Sequence, residues 1–159
     1  MTLSRLNFPE YQFSLRQNGG KTEVFDIARK KFVALTSEEW VRQHVIHYLH
    51  NEKKCPLELV QVEGSITVNS LPKRCDIIVY DKLTRPSLLV ECKKTDVKIQ
   101  QKTFDQALVY NLVLNVPYIL ITNGLQHVCF SFDKTAGHVV FHNEIPDWHT
   151  LCSKSNQLL

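Results

Sequence analysis

Two short apolar runs, Ile77-Ile78-Val79-Tyr80 and Leu88-Leu89-Val90, constrain this chain more than any other feature. Each has the length of one buried strand and is too short for a helix. Between them lies Asp81-Lys82-Leu83-Thr84-Arg85-Pro86, a turn-forming cluster. Both runs also abut charge. Asp76 opens the first, and Glu91-Cys92-Lys93-Lys94 closes the second. Burying these strands therefore brings carboxylates and lysines to the edge of the core.

Side chains alternate along a strand, so Glu91 and Lys93 share a face and Cys92 takes the other. An antiparallel hairpin that pairs Lys82 with Arg85, or Asp81 with Pro86, sets Asp76 opposite Glu91. Cross-strand partners lie about 4.5–5.5 Å apart at Cβ. Two carboxylates that close repel, and burying them is costly without a cation between them. A divalent metal meets that need. Mg2+ takes oxygen ligands, keeps several waters and is commonly held by one or two carboxylates plus substrate phosphate. The backbone carbonyl of Cys92 is a further candidate ligand, and Lys93 is placed to orient the attacking water or offset phosphate charge. The plainer alternative is an exposed ion pair at a strand end, which contributes little.

The rest of the chain supplies the frame. Its 159 residues suit one domain, with 43% apolar residues for a core. A formal charge of +3 permits an anionic partner without demanding one. No stretch is long and apolar enough to span a membrane, and the opening MTLSRLNFPEYQF lacks a signal-peptide apolar region, which points to a cytoplasmic protein. Five scattered cysteines without a CxxC pair argue for reduced thiols rather than a disulfide framework or structural zinc.

Alternation on both sides of Asn18-Gly19-Gly20 predicts an N-terminal β-hairpin. Gly20-Lys21-Thr22 resembles the end of a phosphate-binding loop, but Leu15 stands where that motif needs glycine. Thr36-Ser37-Glu38-Glu39 reads as a capping box that starts a helix over about 37–52, with Val41, Val45, Tyr48 and Leu49 on one face. His44, His47 and His50 recur every third residue, a spacing that drifts around the helix and disfavours a shared metal. Strands are expected over about 58–69, 75–80 and 87–92, a helix over about 98–114, and strands over 116–122, 126–132 and 138–142. The helix would bury Phe104, Ala107, Leu108 and Leu112, with Gln106 and Tyr110 stacked beside that stripe. Gln106 and Tyr110 suit contact with a phosphate backbone, and Lys94, Lys98 and Lys102 add positive charge beside the carboxylates. The fold class is α/β, a mixed central sheet flanked by helices. One domain is expected over 1–152, with the hairpin at about 10–34, the core at about 35–146, and a frayed tail at 153–159.

Asp76, Glu91-Cys92-Lys93 and Gln106-Ala107-Leu108-Val109-Tyr110 together resemble the PD-(D/E)XK nuclease signature with its following QxxxY motif. The chain is most similar to the N-terminal nuclease domain of type I restriction enzyme R subunits, in the short stand-alone form found in bacteria. Leu35-Thr36-Ser37-Glu38-Glu39-Trp40-Val41-Arg42-Gln43 and Thr122-Asn123-Gly124 extend the likeness, which runs from about residue 20 to residue 146. It implies a restriction-endonuclease-like core of helix, three-stranded antiparallel meander, helix and strand. It also implies cleavage of DNA with Mg2+ or Mn2+. Asp76 and Glu91 would be metal ligands, Lys93 the catalytic lysine, and Gln106 and Tyr110 a supporting pair near DNA. Glu38, Glu39 and Glu63 are candidates for a further acidic ligand, although the capping box already employs Glu39. DNA is the implied partner, together with restriction-modification or helicase subunits or a second copy of the chain. Two departures stand out: Cys75 rather than proline precedes Asp76, and the chain has no P-loop of its own, whereas R subunits translocate by ATP hydrolysis. A non-catalytic nucleic-acid-binding or interaction module on the same fold is the main competing reading, and an RNA-directed or junction-resolving nuclease a third.

Overall fold

The computed structural model describes residues 3–133 and 135–155. The chain opens with a small antiparallel sheet of β1 (Leu15–Asn18), β2 (Lys21–Asp26) and β3 (Lys31–Ala34). Asn18 pairs with Lys21 across a two-residue turn, where Gly19 and Gly20 take φ of 56° and 77°. The phosphate-loop-like tripeptide is thus part of a hairpin turn. A third strand extends the expected hairpin. The buried Asp26 carboxyl accepts from the amides of Ala28 (2.9 Å) and Arg29 (2.7 Å), which shapes the β2–β3 turn.

Helix α1 (Ser37–Asn51) begins at Thr36, whose hydroxyl accepts from the Glu39 amide at 3.0 Å. β4 (Val60–Val68), β5 (Leu71–Tyr80) and β6 (Pro86–Cys92) form an antiparallel meander. A crossover through α2 (Gln101–Leu114) then places β7 (Tyr118–Thr122) parallel to β6. β8 (His127–Asp133) and β9 (His138–His142) complete a six-stranded sheet in chain order, antiparallel except at β6–β7. This is the expected mixed α/β core. A final helix, α3 (Trp148–Ser155), occupies the region read from sequence as a loop and frayed tail. Leu151 of α3 is fully buried, which holds the helix on the core, and residues 156–159 lie outside the described residues.

The central strands are covered on both faces. Val41, Val45, Ile46 and Leu49 of α1 pack with Ile77, Val79, Leu88, Val90 and Leu120. Ala107 and Tyr110 of α2 pack with Ile78, Leu89, Ile119, Ile121 and Phe130 on the opposite face. Burying each large apolar side chain contributes about 1.5–3 kcal/mol. Of the expected α2 stripe, Phe104, Ala107 and Leu108 pack on this face, but Leu112 is 83% exposed. Thr103 and Tyr110 are buried instead, on the side from which Gln106 reaches Glu91. All five cysteines are free, and burial pushes the thiols of Cys55, Cys75 and Cys129 up to about 12. No described helix is long and apolar enough to cross a membrane.

Candidate active site

The β5–β6 ladder pairs Ile77 with Val90, Ile78 with Leu89, and Val79 with Leu88. This is the register that brings Asp76 to the level of Glu91. The connecting loop is not the simple one assumed. A bulge between Val79 and Tyr80 shifts the pairing to Tyr80 with Pro86, and the Asp81 amide donates to the Arg85 carbonyl at 2.9 Å. Asp81 Oδ1 stabilises this wider loop by accepting from the Leu83 and Arg85 amides.

Strand alternation breaks at Asp76. Cys75 and Ile77 should share a face, yet Cys75 joins the α2-side core and Ile77 the α1-side core. On the neighbouring strand, Glu63 takes φ of 55°, between the pairs Val62–Ile77 and Gly64–Cys75. The twist sends the two carboxyls to different helices. Asp76 Oδ1 accepts from Arg42 of α1 at 2.7 Å, and Oδ2 accepts from the Cys92 amide at 2.7 Å. Glu91 Oε1 accepts from Lys93 Nζ at 2.7 Å and from Gln106 Nε2 of α2. The expectation of two carboxylates side by side on one face is therefore modified. They sit where the sheet frays between α1 and α2.

Glu91 is 3% exposed, and its Oε2 is buried without a hydrogen-bond partner among the described residues. Burial, then the proximity of Asp76, raise its carboxyl to about 7 despite the hydrogen bond from Lys93. Burial lowers the Lys93 ammonium, but its bond to Glu91 outweighs that and leaves it above its ordinary value. Gln106 also donates to the Tyr110 hydroxyl at 3.2 Å, and Tyr110 is buried in the α2-side core. Gln106 and Tyr110 thus form a relay from the helix to Glu91, rather than lying beside the packing. Cys92 points into the α1-side core, opposite to Glu91, as alternation requires.

The other acids are placed differently from one another. Glu38 is half-exposed beside Asp76, and its carboxyl is raised by burial and by Asp76. Glu39 does not reach back to close the capping box. Its carboxylate instead accepts from Arg29 (2.5 Å), Gln43 (2.8 Å) and Arg42. Glu63 binds Arg29 at 2.6 Å and Arg74 at 3.3 Å. A buried polar chain therefore runs from Asp26 through Arg29 and Glu39 to Arg42 and Asp76. Burial opposes the Arg42 charge, but Asp76 and Glu39 outweigh it and raise the guanidinium above its usual value. Arg42 and Arg29 escaped the sequence reading. The spacing of Glu38 and Glu39 four and three residues before Arg42 was the available signal for Arg42.

Of the lysines, Lys94 pairs with Asp96 at 3.2 Å, Lys98 is exposed, and Lys102 lines a groove with Gln106 and Tyr110. Asn123 fixes the neighbouring loop, donating to the Val97 carbonyl at 3.0 Å and accepting from the Leu125 and Gln126 amides. The three helical histidines do not converge. His44 bonds the Trp40 carbonyl and His50 the Cys55 carbonyl.

The architecture is similar to that of a fragment described as an HsdR subunit of a type I restriction enzyme from Vibrio vulnificus YJ016. The TM-score is 0.55 at 22% identity, covering 77% of this chain and 26% of the fragment. The chain thus spans about a quarter of the length of that protein, and at this identity the likeness concerns the fold. No protein of curated function matches the sequence. Residues 37–146 match the family described as type I restriction enzyme R protein N terminus. That span runs from the first turn of α1 to just before α3 and takes in the whole Asp76–Glu91–Lys93–Gln106 cluster, so the chain belongs to the type I restriction enzyme R protein N-terminal family.

Proposed function

We propose that the chain is a metal-dependent DNA endonuclease domain of the R-subunit N-terminal kind, acting with restriction-modification or helicase subunits. One observation carries this reading. Glu91 is buried, its Oε2 has no hydrogen-bond partner among the described residues, and its carboxyl is pushed up to about 7 beside Asp76. A divalent cation would satisfy that oxygen and offset the repulsion. Asp76, Glu91 and the Cys92 carbonyl would hold it, with Glu38 the nearest further acid. Among the described residues no three His, Cys, Asp or Glu side chains form a ready ligand set. Mg2+ suits such a site, because it retains waters and takes substrate phosphate oxygens. When bound, it would supply Lewis-acid activation of a water and of the phosphodiester.

The remaining chemistry belongs to the chain. Lys93 Nζ, held by Glu91 at 2.7 Å, carries its charge to the rim, where it would orient the attacking water and balance phosphate charge. Gln106, which also donates to the Tyr110 hydroxyl, holds Glu91 Oε1 and leaves Oε2 as the oxygen that would be offered to an ion. Arg42 holds Asp76 in place from α1. The competing reading, a catalytically silent DNA-binding or interaction module, draws support from the same arginine. Both Asp76 oxygens already accept hydrogen bonds, which weakens Asp76 as a ligand.

Plasmid cleavage decides between them. With Mg2+ or Mn2+ the protein is expected to nick supercoiled DNA, and Asp76→Ala and Lys93→Ala should abolish the activity. Equal faint cleavage by wild type and both variants would leave the silent module standing.

A further inference from the structure

Beyond Ile77, β5 leaves β6 and continues with β4 alone. The pairs Gly64–Cys75, Ser65–Arg74, Ile66–Lys73, Thr67–Pro72 and Val68–Leu71 make a two-stranded ribbon that projects past the carboxylates. Its tip is a two-residue turn, with Asn69 at φ 49° and Ser70 at φ 65°. Residues 69–74 are all exposed. Partners directly opposite in a ladder share a face. Lys73 therefore shares the face of Ile66, which packs into the α2-side core. Between this face and α2 lies an open groove of about 440 Å3. Lys73 lines the ribbon wall and Lys102 the helix wall, with Gln106 and Tyr110 beside them. Gln106 in turn holds Glu91.

We propose that this groove binds the sugar–phosphate backbone of a DNA duplex, with Lys73 and Lys102 contacting phosphates from opposite walls. Three features carry the inference. The groove ends on the amide that touches the buried carboxylate. Each wall has an exposed lysine, and these two cations outnumber the acidic side chain among the lining residues, Asp105, which accepts from Gln101 at 2.9 Å and keeps its charge. A two-stranded ribbon is also a shape that the major groove admits. The β4–β5 ribbon becomes a clamp that sets the strand over Glu91 and Lys93. The choice of DNA as ligand rests on the nuclease reading, whereas the location of the contacts rests on the groove.

The test is equilibrium binding of a fluorescein-labelled duplex by fluorescence anisotropy, in EDTA so that no cleavage intervenes, across a series of salt concentrations. Each lysine–phosphate contact contributes about 0.9 to the slope of log affinity against log salt. Lys73→Ala and Lys102→Ala should each lower that slope by about 1 and weaken binding several-fold, with the double variant losing about 2. Lys73→Arg should retain the wild-type slope. Lys82→Ala, in the loop at the far end of β5 and β6, should change nothing. Wild-type slope and affinity in Lys73→Ala and Lys102→Ala would overturn the proposal, as would an equal loss in Lys82→Ala. Cleavage without any effect of Lys73 or Lys102 on binding removes the groove and leaves the nuclease reading. Binding that depends on both lysines, with no cleavage in Mg2+ or Mn2+, keeps the groove and removes the nuclease reading. Absence of duplex binding at every salt concentration rejects the groove.

Discussion

Glutamine in place of Glu91 should stabilise the metal-free protein at alkaline pH. The Glu91 carboxyl has a folded-state pKa of about 7 against an ordinary 4.5. Between these values the folded chain keeps a proton that the unfolded chain has released. Stability therefore falls as pH rises through this window, and the loss is complete above the folded value. At about 1.4 kcal/mol per pH unit, the ionised carboxylate costs the fold about 3 kcal/mol above pH 7. Glutamine removes the titration. Its carbonyl can still accept from Lys93 and Gln106, and its amide is neutral where Oε2 was an unpartnered anion. Urea melts in EDTA should show wild type and Glu91→Gln within about 1 kcal/mol at about pH 5, diverging at about pH 8 with glutamine ahead by about 3 kcal/mol. For a chain of this length that corresponds to roughly 6–12 °C in Tm. If Glu91→Gln is instead less stable at the higher pH than at the lower, relative to wild type, the Lys93 ion pair outweighs burial and the reasoning fails.

Mn2+ should raise the Tm of wild type at neutral pH by binding the folded state, and Asp76→Asn should lose most of that increment; an equal shift in both would remove Asp76 from the ligand set. Arg42→Met breaks a buried network to Glu39 and Asp76 and should cost about 3–5 kcal/mol in chemical denaturation. Adding Glu39→Gln should recover part of that loss, and strictly additive losses would show that the two residues are not coupled. Gly124 has φ +85°, and an added Cβ would lie 2.8 Å from Leu6 Cδ2. Gly124→Ala should therefore destabilise by about 1–3 kcal/mol, and Leu6→Ala in the same chain should relieve the steric share of it in a thermal melt.

Much of this molecule was legible before its structure. Apolar runs of strand length, turn clusters and the Thr36 cap located eight of the nine described strands and the first two helices, because these signals are local. The β5–β6 register was also legible, since a hairpin between adjacent strands has few alternatives once both runs must be buried. β3 and α3 were missed. β3 depends on a turn built by the Asp26 side chain, and α3 on the burial of Leu151, neither of which leaves a periodic trace.

The site divides in the same way. Sequence alone placed Asp76 on one strand, Glu91 and Lys93 at the end of its neighbour, and Gln106 and Tyr110 on one helical face; it did not bring in Arg29 and Arg42. Only the tertiary structure decided how they face each other. A left-handed residue at Glu63 and a broken alternation at Asp76 turn that carboxyl to Arg42 of α1, while the packing of α2 on the sheet brings Gln106 to Glu91. The physical reason is range. Alternation and spacing act over a few residues, whereas the buried charge of Glu91 and the chain from Asp26 to Asp76 depend on side chains up to 34 positions apart that only packing brings together.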